Sequence, residues 1–190
     1  KKGQLTGLSR EGDMRKPTEP KPKKLFIGLL TGAPDILGEV ETKLEKDFGN
    51  MDGESSLIPF DYTDYYEEEM GQEIKRKFVS FEELVHPGEL SQIKLRTNEI
   101  ESHFAEKLDM EVPRPINLDP GYLGSAKIVL ATTKNYSHRV FLKEGIYAEV
   151  TLKYKDGGFG PLPWTYPDYR SNQYIEFFEK TRDIYLNQLD

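Results

Sequence analysis

The stretch "TTKNYSHRVFL", residues 132–142, places Lys134, His138 and Arg139 within six positions, between two apolar runs. Three groups of that type on one loop suit a phosphate or a carboxylate, because each offers charge-assisted hydrogen bonds. His138 is the one histidine that stands beside an arginine and between strands, and it is a candidate catalytic group. The competing reading is a solvated hairpin mouth. A second cluster is "INLDPGY", residues 116–122, where Asn117 and Asp119 precede Pro-Gly. That dipeptide is a turn signal, so the expectation is a carboxylate at a tight corner beside Tyr122. Turn chemistry alone accounts for it equally well.

A third candidate lies in "GIYAEVTLKY". Strict alternation puts Ile146, Ala148, Val150 and Leu152 on one face, and Tyr147, Glu149, Thr151 and Lys153 on the other. If that second face is covered, Glu149 is a buried acid that needs a partner such as Arg139 or Lys134. Finally, "GPLPWTYPDYR", residues 160–170, carries three prolines and the chain's only tryptophan. Proline stiffens an extended path. Trp164 and Tyr169 have apolar bodies and polar tips, suited either to capping a core or to walling a pocket for a flat ligand. Arg170 at a helix entrance opposes the helix dipole and needs a reason to be there, for which a salt bridge to Asp168 or Glu149 would serve. Asp119, Glu149 and His138 are thus the candidate catalytic residues. Lys134, Arg139, Asn117, Tyr169, Arg170 and Trp164 are the candidate ligand-binding residues.

Other motifs carry less. "GLLTGAPD" is a strand-to-helix loop without G-x-G-x-x-G or G-x-x-x-x-G-K-[ST]. "FDYTDYYEEEMG" offers Asp61 and Asp64 as oxygen donors but lacks the EF-hand spacing, and no metal site is assigned. Lys94, Asn98 and Glu101 read as the polar flank of a helix. His86 and His103 have no partners at metal-ligand spacing.

These residues must be held by a fold that periodicity sketches. "KLFIGLL" reads as a buried strand. "ILGEVETKLEKDFG" repeats apolar residues at helical spacing, with Pro34 at its start and Gly49 at its stop. "SSLIPFDYTDYY" reads as a strand entering a loop, and "EIKRKFVSFEELV" as an extended run. Leu90, Ile93, Thr97, Ile100, Phe104 and Leu108 form a helical stripe. "AKIVLATT" is a strand, and "HRVFLKEGIYAEVTLKY" a hairpin about Glu144-Gly145. "KDGGFGPLPWTYPD" reads as a loop before a last helix with Tyr174, Phe177, Phe178, Tyr185 and Leu189 on one face. The order predicts an α+β fold with a ferredoxin-like, split β-α-β core and a C-terminal hairpin and helix extension. A doubly wound α/β layout is the alternative.

The 190 residues fit one domain over residues 24–190, preceded by a disordered or tag-like segment, residues 1–23, that contains "KPTEPKPKK". With no cysteine, disulfides and thiol nucleophiles are excluded. The longest apolar run is too short to cross a membrane, and the opening residues lack the apolar core of a secretory signal. A net charge of −7 argues against a duplex nucleic acid partner. A cytoplasmic protein is the expectation.

"KLFIGLL", "PFDYTDYYEEEMG", "RPINLDPGYL", "KIVLATTKNYSHRVFL", "GIYAEVTLKY" and "PLPWTYPDYR" together resemble the bacterial and archaeal family called domain of unknown function 4416, over roughly residues 22–187. The resemblance implies a compact cytoplasmic protein of about this length. Members are sometimes labelled GTP-binding, but no catalytic residue is carried over. The expected function is binding of, or action on, a small phosphorylated ligand such as a nucleotide, with the cofactor unknown. The alternatives are a non-catalytic interaction module, assembled as a homo-oligomer, and a metal-assisted hydrolase using Asp61, Asp64 and Asp119.

Overall fold

The computed structural model describes residues 16–62, 67–108 and 112–189. The elements in chain order are β1 (Lys23–Thr31), α1 (Leu37–Phe48), β2 (Met51–Glu54), β3 (Ile58–Pro59), α2 (Glu67–Met70), β4 (Lys75–Val85), α3 (Leu90–Lys107), β5 (Asn117–Leu123), β6 (Lys127–Thr132), β7 (Val140–Lys143), β8 (Ile146–Lys155), β9 (Gly158–Pro161) and α4 (Asn172–Leu189). The strands form one sheet in the order β2-β4-β1-β5-β6-β8-β7, with β3 also pairing β4 and β9 pairing β8. All of the pairings are antiparallel. The chain is therefore a mixed α+β fold built on one large sheet.

Both faces of the sheet are buried at its centre, which is why β1 is continuously apolar from Leu25 to Leu30 rather than alternating. On one face, Leu37, Val40 and Leu44 of α1 and Ile93, Ile100 and Phe104 of α3 pack on Leu25, Ile27, Leu29, Val79 and Phe81. Helix α1 ends where Gly49 takes φ +90°, a conformation that glycine reaches without a Cβ penalty. Helix α3 begins with a capping box between His86 and Glu89, which gives His86 a structural task. On the opposite face, Tyr174, Phe177, Phe178 and Tyr185 of α4 cover Phe26, Phe78, Leu123, Ile128 and Leu152. Phe78 is the hub of that layer and meets the rings of Phe26, Tyr169, Tyr174, Phe177 and Phe178.

Three expectations are corrected. Asn117 and Asp119 are not at a turn. They lie within β5, where Asp119 is paired with Gly28 of β1. The Pro-Gly pair sits inside this strand because Pro120, which has no N–H to give, comes just where β5 stops pairing with β6. The β5–β6 ladder includes only Gly121–Leu123. The presumed loop after residue 155 begins instead with a short strand, β9, joined to β8 through Asp156 and Gly157, both with positive φ. The alternation along β8 also breaks. A bulge lets β8 advance from Val150 to Leu152 while β6 moves only from Val129 to Ile128. Val150 therefore packs with Val129 and Ala131 on the α3 side, and Leu152 turns to the α4 side.

The β7–β8 hairpin turns at Glu144 and Gly145, both with positive φ, as a tight two-residue turn requires.

Beyond Gly121 the sheet forks. Leu118 lacks a partner on β6, and α3 supplies one: Lys94 Nζ donates to the Leu118 carbonyl at 2.7 Å, and the Leu118 N–H donates to Glu101 at 2.7 Å. Lys94 and Glu101 are thus buried stand-ins for a missing strand rather than a solvated helix flank.

Candidate aromatic groove and its buried neighbour

Glu149 stands on β8, on the α4 side of the sheet, with its side chain 1% exposed. A carboxylate this deep needs compensation, and the loop between β6 and β7 provides it. Arg139 Nε donates to Glu149 Oε2 at 2.7 Å, and His138 Nε2 lies 3.1 Å from the same oxygen. Thr151 Oγ1 lies 3.3 Å from Oε1. The remaining Arg139 nitrogens donate to the Lys134 carbonyl at 2.9 Å and to the Tyr166 hydroxyl. Burial would lower the Arg139 pKa, but Glu149 and Tyr166 hold it above the usual value. The guanidinium lies against the rings of both Tyr136 and Tyr166.

The second wall is the proline-rich loop. Trp164 Nε1 donates to the Val150 carbonyl at 2.8 Å, and Thr165 Oγ1 donates to the Thr151 carbonyl and accepts from the Leu162 N–H at 2.8 Å. These bonds lay the loop along β8. Arg170 clamps it from the far side, its Nε donating to the Thr165 carbonyl at 3.0 Å. The expected salt bridge to Asp168 or Glu149 is replaced by these backbone contacts. Trp164 then stacks on His138, with ring centres 5.3 Å apart and planes 13° from parallel, while the Tyr136 ring lies tilted against the imidazole at 5.4 Å. The result is a groove of about 990 Å³ lined by Lys134, Tyr136, His138, Arg139, Trp164 and Tyr166, among others.

Next to the groove, on the same face of the sheet, lies a second polar cluster centred on Arg76. Its guanidinium donates to Asp119 at 2.8 Å and stands 3.7 Å from Asp168. Asn117 donates to Asp119 at 2.8 Å and accepts from Arg114, which also donates to Glu101 at 2.9 Å. Burial would raise the Asp119 pKa, but Arg76 and Lys94 pull it below the usual range. Burial drives Asp168 the other way, with Arg76 opposing and Asp119 adding to the rise. Burial likewise raises Glu101 against Lys94 and Arg114. Tyr166 feels charge from both clusters: burial raises its pKa first, Arg139 opposes, and Glu149 and Asp119 add to the rise.

The structure thus brings Lys134, His138, Arg139, Glu149 and Trp164 together. Asn117 and Asp119 belong to the neighbouring cluster. Tyr169 does not reach the groove; its ring is buried among Phe78, Tyr174 and Phe178. Tyr136 and Tyr166 also line the groove, and both lie within the two stretches that supply the other lining residues. Arg76 had no signal at all, since in "KRKFV" it reads as one more solvated cation. Asp61 is exposed, and Asp64 lies outside the described residues. Among the described residues no group of three or more histidine, aspartate or glutamate side chains could hold a metal ion, and no helix is long and apolar enough to cross a membrane.

An α+β chain with a single antiparallel sheet and an aromatic groove beside a buried arginine cluster is the class that these features define. The chain belongs to the family called domain of unknown function (DUF4416), whose model matches residues 21–185. No curated protein and no solved structure matches it.

Proposed function

We propose that the groove binds a small planar phosphorylated ligand, of which a nucleotide is the type. The observation that carries this reading is the near-parallel stack of His138 on Trp164, with the exposed ring of Tyr136 beside it. Flat π-faces held ready in this way suit a heterocycle, and base stacking on aromatic side chains is worth roughly 1–3 kcal/mol per ring. Lys134 supplies charge at the groove for a phosphate. Arg139 is already engaged by Glu149 and contributes mainly by orienting the walls. The order β2-β4-β1-β5, with α1 and α3 packed on one face, supports reading the first half as a split β-α-β unit. On that reading the groove is built by the strands added beyond β5.

The test uses Trp164, the only tryptophan in the chain, as its own reporter. Titration with AMP, ADP and ATP, with Mg²⁺ present, is expected to quench its fluorescence to saturation. Absence of quenching by all three, together with no change in thermal stability, would sink the proposal.

A second reading rests on the sheet edge. Val140, Phe141 and Leu142 of β7 are 68%, 56% and 39% exposed, on the last strand of the sheet. Edge strands are ordinarily blunted by charge, and here the charge is confined to Lys143 at the turn end, so three consecutive apolar side chains stay exposed, which favours an interaction surface. Light scattering that finds only monomer would count against a homo-oligomer.

A further inference from the structure

We propose that His138 is the acid–base residue of the groove, with Glu149 as the group that positions it. The inference rests on the groove being a ligand site and adds a chemical step to it. Three contacts fix the imidazole: Trp164 stacked on its face, the tilted ring of Tyr136 at 5.4 Å, and Glu149 Oε2 at 3.1 Å from Nε2. A carboxylate only accepts hydrogen bonds, so Nε2 carries the proton. In the neutral ring Nδ1 is then the nitrogen with the lone pair, and among the described residues it has no hydrogen-bond partner. The ring that bears it lines the groove, and its side chain is only 15% exposed.

These are elements that general acid–base chemistry uses: a base whose tautomer and orientation are set by a buried acid, with the opposite nitrogen not taken up by the described residues. His86 provides the contrast within the same chain. Its Nδ1 is occupied by the Gly88 N–H at the start of α3, and its ring is used as a cap. Arg139 occupies the same Glu149 oxygen as His138, so the carboxylate is held in place even while the imidazole changes its protonation.

In the step this serves, an O–H of the bound ligand or of a water gives its proton to Nδ1 as its oxygen bonds to the ligand's phosphorus. The phosphorus–oxygen bond to the leaving group breaks, and the proton on Nδ1 passes to the leaving oxygen. The imidazole and Glu149 end as they began. Water or a ligand hydroxyl is the only co-reactant.

The test has two readouts on the full chain. The first is the tautomer of His138 by ¹⁵N NMR of the wild-type protein, expected to be Nε2–H with Nδ1 unprotonated. A proton resident on Nδ1 would overturn the proposal. The second uses p-nitrophenyl acetate, a probe of nucleophilic and basic imidazole. The chain has three histidines. If all were equally reactive, His138→Gln would lose one third of their combined rate. A loss well beyond one third is expected, and a loss of one third or less would overturn the proposal. Both readouts are independent of Trp164 quenching. Quenching by nucleotide with an inert His138 leaves the groove as a binding site and removes the chemistry. A reactive His138 without quenching keeps the chemistry and removes the nucleotide.

Discussion

Arg76 and Arg139 stand on the same face of one sheet, each paired with a carboxylate at hydrogen-bond distance and each set against two aromatic rings, Phe60 and Phe78 for the first, Tyr136 and Tyr166 for the second. What differs is what lies over them. Arg76 is roofed by α4 and the aromatic layer around Phe78, and its side chain is 5% exposed. Arg139 is equally deep at its charged end, but its neighbours Tyr136, Trp164 and Tyr166 face outward. The first arginine is thus sealed and the second borders open rings, while the carboxylates run the other way, with Asp119 29% and Glu149 1% exposed. The sealed site has leftover polarity: Arg76 Nε and Tyr169 Oη are buried without hydrogen-bond partners among the described residues. The open site has leftover surface instead. Orphaned polar atoms in a closed cluster weaken a fold, whereas exposed rings in a groove cost little and can be used.

The largest effect should come from breaking the sealed cluster. Arg76→Met keeps the volume but leaves Asp119 and Asp168 without their cation. Removing one partner of a buried pair costs about 3–5 kcal/mol, and urea denaturation should show a loss of that order. Little change would mean that Asp119 is solvated through its partly exposed side and that Arg76 is dispensable.

Asp168 sharpens the same point through pH. Its pKa is raised in the folded protein, by burial first. A raised carboxyl stabilises the folded state below its unfolded pKa, about 3.9, and that contribution is lost as pH climbs through the folded value. Asp168→Asn does not titrate. Its stability relative to wild type should therefore improve as pH rises from about 4 and level off once Asp168 is ionised in the folded wild type. A relative stability that worsens over that range would show that Arg76 dominates Asp168 after all. Asp119, whose pKa is lowered, should behave in the opposite sense, losing stability as pH falls.

How much of this was legible depends on how local the signal is. Helices α1, α3 and α4 announce themselves by apolar spacing, and the β7–β8 turn by Glu144-Gly145. Strand β9 does not, because "GGFGP" has the composition of a loop and becomes a strand only by lying against β8. Asp119 was misplaced because "DPG" is a turn signal in most settings, and here Pro120 instead marks the fork. The groove was partly legible because Lys134, His138 and Arg139 are neighbours in sequence. The Arg76 cluster was not, since its partners come from β5 and from the turn before α4, far along the chain. Nothing local distinguishes a buried arginine from an exposed one.

A smaller effect tests whether the sealed cluster is really closed. Tyr169→Phe removes a buried hydroxyl that has no hydrogen-bond partner among the described residues. A group left unsatisfied pays for its desolvation without return, so the variant should equal wild type or gain up to about 1 kcal/mol in denaturant unfolding. A clear loss of stability would mean that the hydroxyl is satisfied in solution, by water or by a ligand, and the contrast between sealed and open sites would weaken.

The smallest effect on stability should come from the open site, and there the comparison can fail most informatively. Tyr136 is 67% exposed, packs against His138 and takes no part in the core. Tyr136→Ala should change stability by no more than about 0.5 kcal/mol, as surface substitutions do. On the proposed function it should still weaken nucleotide binding, read by Trp164 quenching, by about tenfold, because a stacking face is worth roughly 1–3 kcal/mol. Separation of the two effects is what an open site demands: the ring is held out for something other than the fold. If Tyr136→Ala instead unfolds the loop and releases Arg139 from Glu149, the tyrosine is the lid of a second sealed cluster. The two arginines would then do the same structural work at two points of one sheet.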